Sequence, residues 1–483
     1  MEIEHNAPPE ATVLGGFTPE GAGRGPKVYI ETYGCQMNVN DSEVVASILA
    51  DAGYGLTNDM EQANVVLINT CAIRENAETR IWGRLDVFEQ LRRRRKGVLV
   101  GVLGCMAERL KADLLERREV VDVVVGPDAY RDLPHLLREA ELGQRGVNVL
   151  LSREETYADI SPIRLDRYGV SAFVSIMRGC NNVCAYCVVP YTRGAERSRD
   201  PQTIVNEVQR LSHMGYKEVT LLGQNVDSYR WQPEGTPDRQ AVSFADLLER
   251  VAQVDSHMRV RFATSHPKDL SREVVYTMAM YENICNHIHL PVQSGSDRML
   301  KLMNRHYTRQ GYLNRVAAIR DILPDCVITT DMIAGFCTET ELDHDQTLSL
   351  IREVGFDSAF MFKYSERPNT KAARHYADDV PDSVKTRRLQ EIIALQNELS
   401  EQSNRNDVGR CFEVLIESPS RKDPSYLMGR TMGNKAVVFP GEGHRVGEFV
   451  YVKITTCTSA TLLGHIVDEQ TATPLLKKQC SGE

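Results

Sequence analysis

The sequence predicts an α/β chain in three units: an N-terminal doubly wound parallel-sheet domain, a central partial (βα)6 TIM-like barrel and a small C-terminal β-barrel. Three observations carry this reading. Between Lys27 and Glu119 apolar strands alternate with amphipathic helices, the pattern of a parallel sheet covered on both faces. Between Ala172 and Phe362 six further strand–helix units follow, which fits a barrel left open on one side for a bulky substrate. After Asn404 the texture changes to short alternating strands punctuated by Gly429, Gly433, Gly441, Gly443 and Gly447.

Length and composition agree. A chain of 483 residues with 42% hydrophobic and 25% charged residues is globular in composition and long enough for roughly three domains. The expected boundaries are a disordered leader over 1–26, a first domain over 27–145, a linker over 146–168, the barrel over 169–402, the small domain over 403–468 and a tail over 469–483. No run of about 18 apolar residues exists, so no membrane partner is expected. Twelve cysteines without an export signal point to a reducing cytoplasm and metal work rather than disulfides. The net charge of −9 does not advertise nucleic acid. The run Arg92-Arg-Arg-Arg-Lys96 reads by itself as a solvated helix end.

In the first unit, strands are expected over Lys27 to Tyr33, Ala63 to Asn69, Gly97 to Leu103 and Val121 to Val125. Helices follow from about Asn38 to Gly53, from Glu75 to about Arg93, and after Cys105 to Glu119. Cys35, Cys71 and Cys105 each fall just after a strand, at the carboxyl edge where such sheets gather ligand-binding residues. Three thiols far apart in sequence then converge on one point and provide a second three-cysteine metal site. The competing reading is three buried core cysteines.

The stretch Cys180-Asn-Asn-Val-Cys184-Ala-Tyr-Cys187 follows the apolar run Ala172 to Met177. Its C-x3-C-x2-C spacing fits three corners of a cubane iron–sulfur cluster. A tetrahedral zinc site takes four ligands, and no fourth Cys or His lies near in sequence. One iron is therefore left for a small chelating molecule. A loop of three structural thiols is the alternative, and free thiols rarely cluster this tightly without a metal or redox task.

The barrel continues with a helix over Pro201 to Met214, a strand over Glu218 to Leu222, a Pro-containing loop to Gln240, a helix over Phe244 to Val254 and a strand over Arg259 to Ala263. Then come a helix over Glu273 to Tyr281, a strand over Ile288 to Pro291, and helices around Asp297 to Met303 and Gln310 to Leu323. Val327 to Met332, Glu341 to Val354 and Ser358 to Phe362 complete the repeat, and the amphipathic stretch Pro381 to Gln402 closes it. The C-terminal strands are expected over Cys411 to Glu417, Ser425 to Thr431, Lys435 to Phe439, Glu448 to Ile454 and Ala460 to Val467. Between Asn404 and Val467 there are 8 Lys/Arg and 6 Asp/Glu, a net of 8 − 6 = +2. A mildly basic barrel of oligonucleotide-binding type suits RNA backbone contact; a packing module is the alternative.

These pieces carry a resemblance. The stretches Glu31-Thr-Tyr-Gly-Cys-Gln-Met-Asn38, Asn69-Thr-Cys-Ala-Ile-Arg-Glu-Asn-Ala77 and Gly104-Cys-Met-Ala-Glu108 stand in the first unit. The barrel holds Arg178-Gly-Cys-Asn-Asn-Val-Cys-Ala-Tyr-Cys-Val-Val-Pro-Tyr-Thr-Arg-Gly194, Leu222-Gly-Gln-Asn-Val226 and Leu290-Pro-Val-Gln-Ser-Gly-Ser296. From Lys27 to about Val467 the chain resembles the radical S-adenosylmethionine (SAM) methylthiotransferase family, whose third unit is a TRAM domain. Gln36-Met37 and Pro190-Tyr-Thr-Arg-Gly194 stand where the ribosomal-protein branch carries other residues, and this favours the tRNA branch. Gly335-Phe-Cys-Thr-Glu339 departs from the family's Gly-Phe-Pro-Gly-Glu, and Cys337 is not read as a ligand.

The resemblance implies a reaction, cofactors and roles. Carbon 2 of isopentenyladenosine, beside the anticodon of tRNA, exchanges its hydrogen for a methylthio group. Two [4Fe–4S] clusters and SAM serve as cofactors. Cys180, Cys184 and Cys187 hold the cluster that cleaves SAM to a 5′-deoxyadenosyl radical, while Cys35, Cys71 and Cys105 hold the auxiliary cluster that carries sulfur. A second SAM provides the methyl group. SAM contacts are expected from Tyr186, Gln224, Asn225, Ser265, Gln293 and Ser294, and phosphate contacts from Arg193, Arg197 and Lys435. The implied partners are the tRNA anticodon stem-loop, an electron-donor protein and a sulfur donor. The alternatives are the same chemistry on threonylcarbamoyladenosine or on a ribosomal-protein aspartate, a radical-SAM RNA methylase, and a non-enzymatic iron–sulfur RNA-binding protein.

Overall fold

The computed structural model describes residues 12–13, 25–71, 75–166, 168–233 and 240–472. The expected leader and tail fall largely outside these residues.

The first unit is built on one sheet in the order Thr12–Val13, Lys27–Tyr33, Val65–Thr70, Leu99–Gly104, Val123–Val125 and Gly146–Asn148, with Gly55–Leu56 also paired to the second strand. All its pairings are parallel except that of Thr12–Val13, which runs antiparallel to Glu31–Thr32. The central strands Val-Val-Leu-Ile-Asn-Thr and Leu-Val-Gly-Val-Leu-Gly are buried along their whole length, as a parallel sheet covered on both faces requires. Gln36–Asp51 and Leu133–Glu141 pack Val45, Leu49 and Leu137 on one face. Glu75–Arg94 and Cys105–Leu110 pack Leu85, Phe88 and Met106 on the other.

Two expectations change here. The linker is not featureless: Gly146–Asn148 adds a strand to the sheet, and Tyr157 and Leu165 are buried in its core. The helix expected after Cys105 breaks into Cys105–Leu110 and Asp113–Arg117 around Lys111, whose backbone is left-handed at φ 52°. The basic run ends the helix Glu75–Arg94, where cations suit the helix dipole; Arg92 pairs with Asp122, Arg93 with Glu89 and Arg94 with Glu61.

The second unit has six parallel strands in two groups of three. Ser171–Ser175, Glu218–Leu222 and Arg259–Ala263 form one; His287–His289, Val327–Ala334 and Ser358–Lys363 form the other. The groups meet where Val260 bridges Ile284 and where Ser265 N donates to His289 O at 3.1 Å. Val327–Ala334 alternates half-buried and buried residues. Ile328, Met332 and Ala334 face the helices that cover the barrel, while Thr329, Asp331 and Ile333 lie on the other face. The first domain covers the open edge of Ser171–Ser175: Asn40 Nδ2 and Arg164 Nη1 both donate to Phe173 O, at 3.1 and 2.7 Å.

The third unit is a closed five-stranded barrel in the order Cys411–Pro419, Tyr426–Thr431, Ala436–Pro440, Leu462–Val467, Phe449–Cys457. It sits at the amino ends of the larger barrel's strands. There Arg259 Nη1 donates to Arg430 O at 2.8 Å and Arg261 Nη1 to Met432 O at 3.1 Å. The carboxyl ends, where ligands bind in such barrels, are left to the cysteine loop.

Candidate metal centre

Strand register brings the first three cysteines together. Tyr33 lies opposite Thr70, and Thr70 opposite Gly104, on three adjacent parallel strands. Cys35, Cys71 and Cys105 leave that line within two residues, so strands about 4.8 Å apart deliver three thiols to one edge. Gly34 and Gly104 make the approach sterically allowed. Both have positive φ, 139° and 88°, and a Cβ on Gly34 would lie 2.6 Å from Cys71 Cβ. Below the thiols a buried amide pair ties the turns together. Asn38 Nδ2 donates to Asn69 Oδ1 and Thr70 O, both at 3.2 Å, and Asn69 Nδ2 donates to Asn38 O at 2.9 Å. Asn38 Oδ1 accepts from Cys35 N at 3.4 Å.

Cys71 and Cys105 are buried while Cys35 is exposed. A hydrogen bond with Cys71 pulls the Cys35 thiol down to about 6, and the Arg193 guanidinium adds to the effect. Burial pushes Cys105 up, against the pull of the same Arg193.

Cys180, Cys184 and Cys187 lie in the loop between Met177–Arg178 and Val189–Thr192. Burial pushes Cys180 to about 11 and Cys187 to about 12, so without a metal these thiols stay protonated. Arg305 Nη1 donates to Cys184 Sγ at 3.3 Å and to Tyr186 Oη at 3.4 Å. Among the described residues no three His, Cys, Asp or Glu side chains surround a single-ion site. A cubane takes each thiolate at a separate iron, so the donor chemistry of both sets fits that group.

The two cysteine-bearing segments meet at the domain interface. Cys105 packs on Val188, the residue after Cys187. Buried ion pairs fix this docking. Asp41, on the helix that Cys35 starts, pairs with Arg178 and Arg193 at 2.8 Å each; Asp128 pairs with Arg197 at 2.9 Å. Arg164, from the linker, bridges Glu43 of the first domain and Glu207 of the barrel. Burial raises the Asp41 carboxyl, and the Arg178 and Arg193 guanidiniums more than reverse this, holding it below its usual value.

Beside the cysteine loop is a group of buried polar atoms without partners among the described residues: Gln224 Oε1, Asn225 Oδ1, Asp227 Oδ1 and His266 Nε2. Unsatisfied buried groups are rare and unfavourable, so the set fits a polar ligand. Asn225 Nδ2 donates to Asp269 Oδ2 at 2.8 Å, which fixes its free oxygen. Lys268 N donates to His266 Nδ1 at 3.2 Å, so the neutral ring carries its proton on the unpartnered Nε2. Burial pushes Asp227 up to about 7. The strand-end residues Thr264 and Gln293 are left-handed at φ 73° and 72°, strain that functional loops accumulate. Asp227, His266 and Arg305 were missed from sequence because each is one ordinary polar residue without a motif.

Some expected contacts are corrected. Ser294 Oγ is hydrogen-bonded to Thr347 Oγ1 at 3.2 Å and accepts from Ser296 N at 3.2 Å, so it locks a turn rather than facing a cofactor. Arg193 and Arg197 are only 2% and 7% exposed and are bound to Asp41 and Asp128, so neither reaches a phosphate. Lys435 Nζ is held by Asp407 at 2.7 Å and Ser403 at 2.8 Å. Exposed cations lie instead on two neighbouring loops of the small barrel. These are Arg421 and Lys422 on one and Arg445 on the other, joined by the bond from Gly441 N to Ser425 O at 2.9 Å. Exposed Tyr426 stands beside them. Thr338, in the loop that departs from the family sequence, adopts φ 64°, a conformation that favours glycine. Arg298 Nη2 donates to its carbonyl at 2.6 Å, and its own N–H donates to Asp379 at 2.7 Å.

Comparison with known proteins follows this division. Family profiles match an uncharacterized protein family (UPF0004) over residues 27–126, the Radical SAM superfamily over 174–351 and the TRAM domain over 405–467. The chain is 57% identical over 447 residues to the tRNA-2-methylthio-N(6)-dimethylallyladenosine synthase of Amoebophilus asiaticus, covering 91% of this chain and 92% of that protein. It is 55% identical over 449 residues to the enzyme of that name in Porphyromonas gingivalis, covering 92% and 96%. Among solved structures, the radical S-adenosylmethionine methyltransferase TsrM of Kitasatospora setae superposes with a TM-score of 0.54 at 14% identity. That match covers 72% of this chain and 76% of TsrM, a likeness of fold alone. On this sequence identity and domain order, the chain belongs to the radical-SAM methylthiotransferase family, in its tRNA-2-methylthio-N(6)-dimethylallyladenosine synthase (MiaB) branch.

Proposed function

We propose that this protein installs a methylthio group on carbon 2 of N6-isopentenyladenosine beside the anticodon of tRNA, using SAM and two [4Fe–4S] clusters. The single observation that supports it most is that two sets of three cysteines lie on either side of one interface, where Cys105 packs on Val188 and buried ion pairs join the two domains. When bound, the clusters and SAM supply radical and sulfur-transfer chemistry that no side chain has.

In this reading Cys180, Cys184 and Cys187 would hold one cluster, which would supply the electron for SAM cleavage. Cys35, Cys71 and Cys105 hold the other, and the Asn38–Asn69 amide pair orients their turns. Gln224, Asn225, Asp227 and His266, with Ser265 and Gln293 at neighbouring strand ends, bind the polar groups of SAM, and Tyr186 borders its site. The Asp41 and Asp128 ion pairs hold the domain that carries one cysteine set against the domain that carries the other. The C-terminal barrel contacts tRNA phosphates through Arg421, Lys422 and Arg445. Domains over 27–166, 168–402 and 403–468, an electron-donor protein, a sulfur donor and a reducing cytoplasm complete the reading.

Nucleoside mass spectrometry of tRNA from cells lacking this protein tests it. N6-isopentenyladenosine should accumulate at the expense of its 2-methylthio form, and the gene should restore the latter. An unchanged nucleoside profile would reject the assignment.

A further inference from the structure

Arg305 belongs to no sequence motif, yet its surroundings lack a counter-charge. Nine arginines are buried among the described residues, and eight of them pair with a carboxylate. Arg305, only 4% exposed, has no carboxylate partner among those residues. Its guanidinium donates from Nε to Tyr307 Oη at 3.0 Å, from Nη2 to Pro291 O at 2.7 Å, and from Nη1 to Cys184 Sγ at 3.3 Å. Tyr307 is itself anchored, donating to Val292 O at 2.8 Å. Each of these partners is neutral unless Cys184 is a thiolate. A buried cation without a counter-charge is strongly unfavourable, so a site built around one implies an anion.

The geometry points to Arg305 as the built-in counter-charge of a cluster held by Cys180, Cys184 and Cys187, raising its reduction potential through an N–H···S bond to Cys184. The inference rests on the cluster assignment under the proposed function. A [4Fe–4S]2+ core with three thiolates carries one net negative charge, and a low-potential one-electron donor makes that two. A fixed cation is attracted more strongly to the reduced form. The hydrogen bond also draws electron density from the sulfur, a recognised lever on cluster potentials. Arg305 neither gives nor takes a proton, so it is a positioning residue. Its anchoring to Tyr307, between two helices, and to Pro291 O, just beyond the strand His287–His289, holds the guanidinium in place.

The test is a redox titration of the reconstituted full-length protein, followed by electron paramagnetic resonance. The radical-SAM cluster is identified as the signal that changes when SAM is added. With Arg305→Met, the reduced-to-oxidised ratio of that signal at a fixed potential should fall at least tenfold, about 59 mV for one electron, while the other cluster's potential stays put. Arg305→Lys, which keeps the charge, should recover part of the shift. Should Arg305→Met retain no iron in that cluster, Tyr307→Phe decides: it loosens the anchor and should lower the potential by a smaller amount. An unchanged potential in Arg305→Met, or in Tyr307→Phe where that variant decides, overturns the inference. A wild-type protein with no SAM-sensitive signal would instead reject the cluster assignment on which the inference stands.

Discussion

The two cysteine sets reach similar chemistry by opposite routes. Cys180, Cys184 and Cys187 sit in one short loop, and their spacing alone brings them together. Cys35, Cys71 and Cys105 are spread over three strands and meet only because Tyr33, Thr70 and Gly104 share one register line. Their charged neighbours differ as well. Arg193, beside Cys35 and Cys105, is neutralised by Asp41, whereas Arg305, beside Cys184, has no carboxylate among the described residues. The local set is fixed by chain connectivity and the dispersed one by sheet topology, so the two should respond differently to damage at a distance.

The largest effects come from removing either set. Replacing Cys180, Cys184 and Cys187 by Ala together should reduce 5′-deoxyadenosine formation to background while leaving about half of the iron. Continued cleavage of SAM would remove the distinction between the sets. Replacing Cys35, Cys71 and Cys105 by Ala should preserve SAM cleavage and abolish the methylthiolated nucleoside; normal product from that variant would end the sulfur-carrying role.

Asp41→Asn tests the interface that joins them. It leaves Arg178 and Arg193 buried beside a neutral amide, a change worth about 3–5 kcal/mol when a buried pair is broken. We expect a lower first unfolding transition and less methylthiolated product per 5′-deoxyadenosine formed, because the dispersed set loses its alignment with the local one. Equal stability and coupling would show that the docking does not depend on this carboxylate. The pH dependence has a definite sign. Because the folded-state pKa of Asp41 lies below its unfolded value of 3.8, its contribution is full above that value and is lost as the pH falls through the lowered one. Acid melts of wild type should therefore show a loss in that range which Asp41→Asn lacks.

The smallest effect separates exposed cations from committed ones. Arg421→Ala, Lys422→Ala and Arg445→Ala should each weaken tRNA binding and reduce its logarithmic salt slope by about one. Lys435→Ala should leave the slope unchanged and instead loosen the packing around Asp407 and Ser403. A slope change from Lys435→Ala alone would place the RNA on the opposite side of the small barrel.

Much of this was legible from sequence where the cause is local. The strands Glu218–Leu222 and Arg259–Ala263 and the helix Glu341–Val354 begin and end as their patterns indicate. Glu341–Val354 has Thr340 as its capping residue and Gly355, left-handed at φ 60°, as its terminator. In sequence Gly146–Asn148 looks like linker because three residues carry too little periodicity, and only the vacant sheet edge makes them a strand. The arginines following the cysteine loop show the same limit. A cation near a functional loop looks alike in sequence whether it faces a phosphate or a buried aspartate 152 positions away, as Arg193 does.

The sequence by itself determined the three units, the local cysteine set and the emergence of each dispersed cysteine at a strand end, because spacing, periodicity and turn chemistry act over a few residues. Only the tertiary structure decided which strands are neighbours, which arginines the first domain's carboxylates neutralise, and that Arg305 lies buried against Cys184 without such a partner. These depend on long-range register and on the exclusion of water from an interface. A charge in water and the same charge in that interface are written with the same letter, but their energies differ by several kcal/mol.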